Sequence, residues 1–352
     1  YINVGQKENR KIIFSSSDIK EMVKHSIILD YDEVTDITPD IRTTLYDAGH
    51  TLGSAMVHLN IGNGLHNLVY TGDMNYETSN LLSAAVTRFP RLETLILEST
   101  YGASINNYPS RKEAEEILIK SIKSTIERGG KVLMPVLGTG RAQEIMVILE
   151  RVAREGNLDK IPIYIQGILW DITAIHTAYP DFFNSTIKKM VFHKDENPFL
   201  SNIFKRIVSR QEMEEVITGG PCIILATSGM MVGGASVEYF KELADNPRNM
   251  LIFTSYLGQG SLGRKISEGE REFDLEGKHI SMKMEIAGIR GFTGHSTRER
   301  LISFMRHINP KPKKVILVHG DNSSCLDLAS TIHKMFRVET NAPKNLEAIR
   351  IR

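Results

Sequence analysis

With 352 residues, 41% of them hydrophobic and 24% charged, the chain has an ordinary soluble composition and enough length for two cores rather than one. Its 43 Lys and Arg balance 42 Asp and Glu to a net charge of +1, so no overall charge announces a nucleic acid or a membrane, and any polyanion site has to be a local patch. Two cysteines without a CxxC pair, Cys222 and Cys325, exclude a disulfide framework and a thiolate zinc site and point to a reducing, cytoplasmic setting. No apolar run approaches the roughly 20 residues needed to span a bilayer, and no signal-peptide pattern opens the chain. The opening Tyr1-Ile2-Asn3-Val4 reads like the middle of a domain, which leads us to expect a piece of something longer.

Asp18 with Glu21 three positions later suggests a helix start, and Ile19, Met22 and Val23 give a short amphipathic helix. Strands are expected at 27–29 and 41–45. Next comes Asp47-Ala48-Gly49-His50-Thr51-Leu52-Gly53-Ser54, then an alternating strand with Ala55, Val57, Leu59 and Ile61, then Leu68-Val69-Tyr70-Thr71-Gly72-Asp73. Small residues around His50 and Asp73 let backbone crowd an ion, and a neutral imidazole with a carboxylate is a sound donor pair for zinc. Two residues that merely cap strand ends fit the same letters. Residues 94–100, Thr-Leu-Ile-Leu-Glu-Ser-Thr, form another apolar strand ending in a carboxylate, Glu98. Three consecutive strands thus deliver a polar residue at the same kind of end, as open α/β sheets do when they build a site.

Ser110 and Glu113 make a capping box for a helix with Ala114, Ile117, Leu118 and Ile122 on one face, ended by Gly129-Gly130. Strand and helix then alternate: a strand at 131–136, a helix at 141–154, a strand at 162–165, and buried-strand candidates at 190–192, 222–226 and 250–254. This is the pattern of a second α/β unit with a parallel sheet. Gly138-Thr139-Gly140-Arg141 joins a strand to a helix and offers amides and a guanidinium to a phosphate, although without a third glycine or a Lys-Ser/Thr a tight turn is the better explanation. The loop 227–234, Thr-Ser-Gly-Met-Met-Val-Gly-Gly, is similar, with Ser228 as its polar side chain.

In the last third, Ile289-Arg290-Gly291-Phe292-Thr293-Gly294-His295-Ser296 places a histidine in a glycine-rich loop before an amphipathic helix at 297–308. A strand at 314–318 follows and ends in His319-Gly320-Asp321. The intervening helix is long enough for a parallel crossover. A closing helix is expected at 325–336 and an edge strand at 345–352, which would seek a partner strand.

Taken together, Gly49-His50-Thr51-Leu52-Gly53-Ser54-Ala55, Thr71-Gly72-Asp73, Leu97-Glu98-Ser99-Thr100, Phe292-Thr293-Gly294-His295-Ser296 and Val318-His319-Gly320 resemble the metallo-β-lactamase superfamily and, within it, the β-CASP nucleic-acid-processing branch. Gly140-Arg141-Ala142-Gln143-Glu144, the stretch 225–230 and the ending 345–350 bring the similarity closer to the archaeal homologues of the cleavage and polyadenylation specificity factor nuclease. The resemblance covers essentially the whole chain.

It implies an α/β fold, a metallo-β-lactamase αββα sandwich incomplete at its N-terminus, over 1–100 and 288–352, with a β-CASP α/β domain inserted at 101–287. Glu98 and His295 stand 197 positions apart, room for that insertion. It implies two zinc ions, with His50, Asp73 and His319 as ligands and Asp73 bridging, and with His295, oriented by Glu98, contacting the scissile phosphate or protonating the leaving oxygen. A histidine at 319 resembles the RNA-cleaving members rather than the DNA-processing ones. Arg141 and Ser228 are the expected RNA contacts.

The family's His-x-His-x-Asp-His run is absent from these 352 residues. The expectation is therefore a truncated chain, inactive by itself, with partial or no zinc occupancy. The implied function is a zinc-dependent ribonuclease in RNA 3′-end processing and transcription termination, a homodimer through its C-terminal tail, with RNA and possible transcription machinery as partners. The competing reading is a non-catalytic β-CASP scaffold that binds RNA or a partner nuclease. A hydrolase of small esters or lactones, the third reading, has no need of so long an insert.

Overall fold

The computed structural model describes residues 14–351 except 105–107, 157 and 159–160, so the opening Tyr1 to Val4 and the terminal Arg352 lie outside it. In chain order, α1 (Ser16–Lys24) precedes β1 (Val34–Thr38), β2 (Ile41–Asp47), β3 (Ala55–Ile61), β4 (His66–Tyr70) and β5 (Thr94–Glu98). The next stretch holds α2 (Arg111–Glu127), β6 (Val132–Pro135), α3 (Arg141–Arg154), β7 (Ile163–Gln166), α4 (Leu169–Ala178) and α5 (Ser185–Lys194). It continues with β8 (Phe204–Ile207), α6 (Arg210–Thr218), β9 (Ile223–Ala226), α7 (Ala235–Leu243), β10 (Met250–Phe253), α8 (Leu262–Ser267), β11 (Glu272–Leu275), β12 (Lys278–Ser281) and β13 (Glu285–Gly288). The chain closes with α9 (Arg298–His307), β14 (Lys314–Val318), α10 (Asn322–Phe336) and β15 (Glu339–Asn341).

Two sheets organise these elements. The first has seven strands in the order β1-β2-β3-β4-β5-β14-β15, antiparallel through β4 and parallel from β4 to β15. β14 therefore lies beside β5 although more than half the chain separates them. Tyr46, Met56, Val69, Leu95, Leu97, Val315 and Leu317 on one face of this sheet pack against Leu301, Phe304 and Met305 of α9 and Leu328 and Ile332 of α10. The second sheet has six strands in the order β13-β10-β6-β9-β7-β8, all parallel.

Its central strands β6, β9 and β10 are four-residue apolar runs buried at every position, the signature of a sheet covered on both faces. Alternation assigns the faces: Val132 and Met134 join α2 and α3 in one core, and Leu133 joins α6 and α7 in the other. Leu81 and Leu82, from the segment after β4, are buried in the core made by α2 and α3, so the two units are packed together and not merely tethered.

Four sequence expectations need correction. Residues 27–29 form no strand; Ile27 and Ile28 are 84% and 93% exposed and pair with nothing that would make one. Residues 190–192 belong to α5, because Asn184 accepts the amides of Thr186 and Ile187 and starts a helix that the Met-Val-Phe run then continues. The described part of 345–352 is not a strand. The edge of the first sheet is instead β15, which pairs with β14, and the tail beyond it turns at Lys344–Glu347. The first helix is capped three residues earlier than expected, by a box between Ser15 and Asp18. Strands β1, β8 and β13, the β11–β12 hairpin and helices α4, α6 and α8 have no counterpart among the expectations from the sequence.

Candidate metal centre

Strand pairing brings four side chains to one end of the first sheet, and the loop before α9 adds a fifth. β4, β5 and β14 run parallel, with Tyr70 opposite Ile96 and Glu98 opposite Val318, so Asp73, Glu98 and His319 leave the sheet at the same end. β3 is antiparallel to β4 with Val57 opposite Tyr70, which carries the β2–β3 loop and His50 to that end as well. The loop turns inward at Gly49, φ +67°, where a Cβ would meet the carbonyls of Asn75 and Ser83 at 2.7 Å. Ser54 Oγ accepts the amides of His50 and Thr51, both at 3.1 Å, and closes the loop.

Asp73 lies between two imidazoles. His50 Nε2 is 3.9 Å from its Oδ2, and His319 Nδ1 is 3.1 Å from its Oδ1. His50 Nδ1 donates to the Gly294 carbonyl at 2.7 Å. A carbonyl only accepts, so Nδ1 holds the proton and Nε2 presents a bare lone pair toward Asp73. His295 arrives from the loop before α9, its ring 4.6 Å from that of His50 and 5.8 Å from that of His319. Its Nδ1 lies 3.0 Å from Glu98 Oε2. Glu98, 1% exposed, also accepts Met74 N at 2.7 Å and Thr100 Oγ1 at 2.6 Å, so its carboxylate is fixed from three directions.

Electrostatics separate the two neighbouring rings. At His50, burial and then the charge of His295 disfavour protonation and lower the pKa, against the hydrogen bond to Gly294 and the pull of Asp73 and Glu98. At His295 burial again opposes the charged form, but the hydrogen bond and charge of Glu98, with Asp73 behind it, prevail and raise the pKa. A neutral ring beside Asp73 and a ring inclined to hold a proton against Glu98 are different chemical tools.

Donor atoms of His50, Asp73 and His295 all lie within 4.8 Å of one another, and so do those of Glu98, His295 and His319. His295 thus belongs to both donor groups, a placement the sequence did not suggest. Arg141, expected as an RNA contact at a strand-to-helix junction, is buried: its guanidinium pairs with Glu144 and abuts Gly294, where a Cβ would meet Arg141 Nη2 at 3.0 Å and the His50 ring at 2.9 Å. Ser228 spends its hydroxyl on its own loop, donating to Gly233 O at 3.1 Å and accepting Val232 N at 3.0 Å. Neither residue is hydrogen-bonded to the five at the sheet edge.

The reading of the sequence also passed over Thr100, whose Oγ1 is within 3.3 Å of His295 Nδ1 and 3.2 Å of His319 Nδ1. Its place two positions after Glu98, on the same side of an extended chain, was the available signal. The Gly294 carbonyl and Arg111 left no comparable trace, and Glu144 appeared only as the last letter of the Gly140–Glu144 motif.

Comparison with known proteins agrees with this architecture. Residues 142–266 match the β-CASP domain family, and residues 279–343 match the Zn-dependent metallo-hydrolase RNA specificity domain. The whole chain is 50% identical to a transcription termination factor FttA of Methanothermobacter thermautotrophicus, covering 56% of that protein. It is 49% identical to the FttA of Thermococcus kodakarensis and 48% identical to that of Methanocaldococcus jannaschii, again over all of this chain and 55% and 56% of theirs. The chain therefore spans about half the length of the curated relatives it matches.

Proposed function

Because the chain belongs to the β-CASP branch of the metallo-β-lactamase superfamily, we propose that it carries the larger part of the active site of a zinc-dependent ribonuclease acting in RNA 3′-end processing and transcription termination. The observation that carries this reading is the convergence of His50, Asp73, Glu98, His295 and His319 at one sheet edge. The relatives are named transcription termination factors, and residues 279–343 match an RNA specificity domain.

The donor set fits zinc in kind. His50 offers a bare Nε2, Asp73 a carboxylate between two imidazoles, and His319 a third donor; these would hold the metal. Bound zinc supplies Lewis acidity that activates water and polarises a phosphate. Glu98 keeps the Nδ1 proton of His295 in place, so that the opposite ring nitrogen addresses the substrate and moves a proton to or from a phosphodiester oxygen. Three ligands do not fill two tetrahedral shells, and the 352 residues contain no His-x-His-x-Asp-His run, so we infer that they do not cleave RNA unaided.

Two finer points of the proposal concern assembly. The tail past β15, with Leu346 fully exposed, is the segment through which we expect two copies to associate, and a monomer in sedimentation with the tail intact would count against it. Transcription machinery is the expected context of the full-length protein. No helix among the described residues is long and apolar enough to cross a membrane.

The test is cleavage of a labelled single-stranded RNA by this chain joined to a segment carrying His-x-His-x-Asp-His. H295A and D73A are each expected to lower the rate by roughly 100-fold or more with RNA binding retained. Equal cleavage by wild type and both variants would overturn the site assignment. Binding without any cleavage by the joined protein would favour the scaffold reading.

A further inference from the structure

Directly behind the loop that carries His295 lies a cluster of charges that the chemistry above does not use. Glu144, in the first turn of α3, is 3% exposed and accepts from Arg111 Nη1 at 2.5 Å and from Arg141 Nη1. The same carboxylate accepts the amide of Asn80 at 3.3 Å. Arg111, at the start of α2, turns its other terminal nitrogen, Nη2, to the Thr293 carbonyl at 2.8 Å. Its Nε faces Glu77 Oε2 at 3.3 Å, within ion-pair reach but off line for a hydrogen bond, and Glu77 Oε1 accepts Arg300 Nη2 at 2.8 Å. Residues of the inserted unit thus grip a loop of the first unit at one carbonyl. The very next carbonyl, that of Gly294, is the acceptor for His50 Nδ1.

Burying two guanidinium groups is a poor way to gain stability, since desolvation offsets most of the attraction. What a planar, two-pronged donor does well is fix geometry. With Thr293 O held by Arg111 and Gly294 in contact with both Arg141 and the His50 ring, the Gly294 carbonyl has little freedom to swing away from Nδ1. We propose that Arg111 and Glu144 are positioning residues: a latch that aims the Gly294 carbonyl and thereby keeps His50 in the tautomer whose Nε2 is free. The significance for metal binding rests on His50 being a zinc donor, as proposed above; the latch itself does not.

The test reads the tautomer without any metal. In the metal-free 352-residue chain with 15N-labelled histidine, long-range proton–nitrogen correlation at neutral pH is expected to show His50, assigned by its loss in H50Q, protonated at Nδ1. R111M and E144Q are expected to shift His50 to a mixture of tautomers, and R111K, which keeps the charge but not the fork, to an intermediate position. R128M removes the 2.6 Å pair with Glu285 at the start of β13 and should leave the His50 signal unchanged, so general loosening is distinguished from loss of the latch. A wild-type His50 tautomer in folded E144Q and R111M overturns the proposal; should R111M not fold, the isosteric E144Q decides alone. Zinc titration then separates the two readings. A tautomer shift with affinity lowered 10- to 100-fold supports both, and a shift with unchanged affinity leaves the latch standing and removes His50 from the metal site.

Discussion

Glu98 is a carboxylate with almost no contact with water, and three donors hold it there: the Met74 amide, the Thr100 hydroxyl and His295. Truncation to alanine strips the buried Met74 amide of its acceptor and takes the carboxylate from Thr100 and His295, so E98A is expected to lower the unfolding free energy by about 3 kcal/mol in urea titration, and E98Q by less. An E98A midpoint equal to wild type would show that the pocket rearranges around the loss. Cys222 makes a second residue-scale test. Burial pushes its thiol up from 9.0 to about 11, partly offset by Lys131. At pH 9 such a group is only about 1% thiolate, so it should resist iodoacetamide in the folded protein and react once urea unfolds the chain. The sign for stability follows: the folded state keeps a proton that the unfolded chain sheds near pH 9, so the contribution of Cys222 is intact below pH 9 and declines as the pH climbs through 11. Labelling of native Cys222 at the rate of a free thiol would contradict this. At this scale the sequence was informative where a reactive side chain lies beside glycine close to a strand end, as at His50, Asp73 and His319. It was silent where a role depends on a partner far along the chain, as for Arg111 with Thr293, 182 positions apart.

Helices were legible when a cap and an apolar period agreed. Ser110 with Glu113 announced α2, whereas α5 was hidden because its apolar residues 190–192 are consecutive and its cap, Asn184, stands six positions ahead of them. The same logic separates caps that matter from caps that do not. Asn184 is buried, accepts two amides of α5, and donates Nδ2 to Ser79 O at 2.9 Å, linking α5 to the segment after β4. Ser15 caps α1, which buries none of its residues. N184A is therefore expected to cost about 2 kcal/mol in denaturant titration, and S15A to leave the global midpoint unmoved. Equal effects from the two substitutions would mean that cap strength alone, and not attachment to a core, sets the cost. Short edge elements such as β1, β8 and β15 carry too little periodicity to be read without their partner strands.

For the molecule as a whole, the two-sheet division was readable from the change from strand-rich to alternating strand and helix. The return of the chain to the first sheet was readable only through the resemblance, because nothing local in β14 says that it will lie beside β5. Leu81 and Leu82 show the cost of that blindness: they sit in the first unit by sequence and in the second unit's core by packing. That shared core, together with the Arg111–Glu144 cluster, explains how a site drawn from positions 50 to 319 keeps a defined geometry across two units. The most direct measurement is zinc content: these 352 residues, equilibrated with zinc and dialysed, are assayed for bound metal alongside D73A. The expected result is fewer than two zinc per chain in the wild type and none retained in D73A, since Asp73 is the carboxylate both flanking imidazoles face. Two zinc held firmly by the wild type, or undiminished zinc in D73A, would contradict the account.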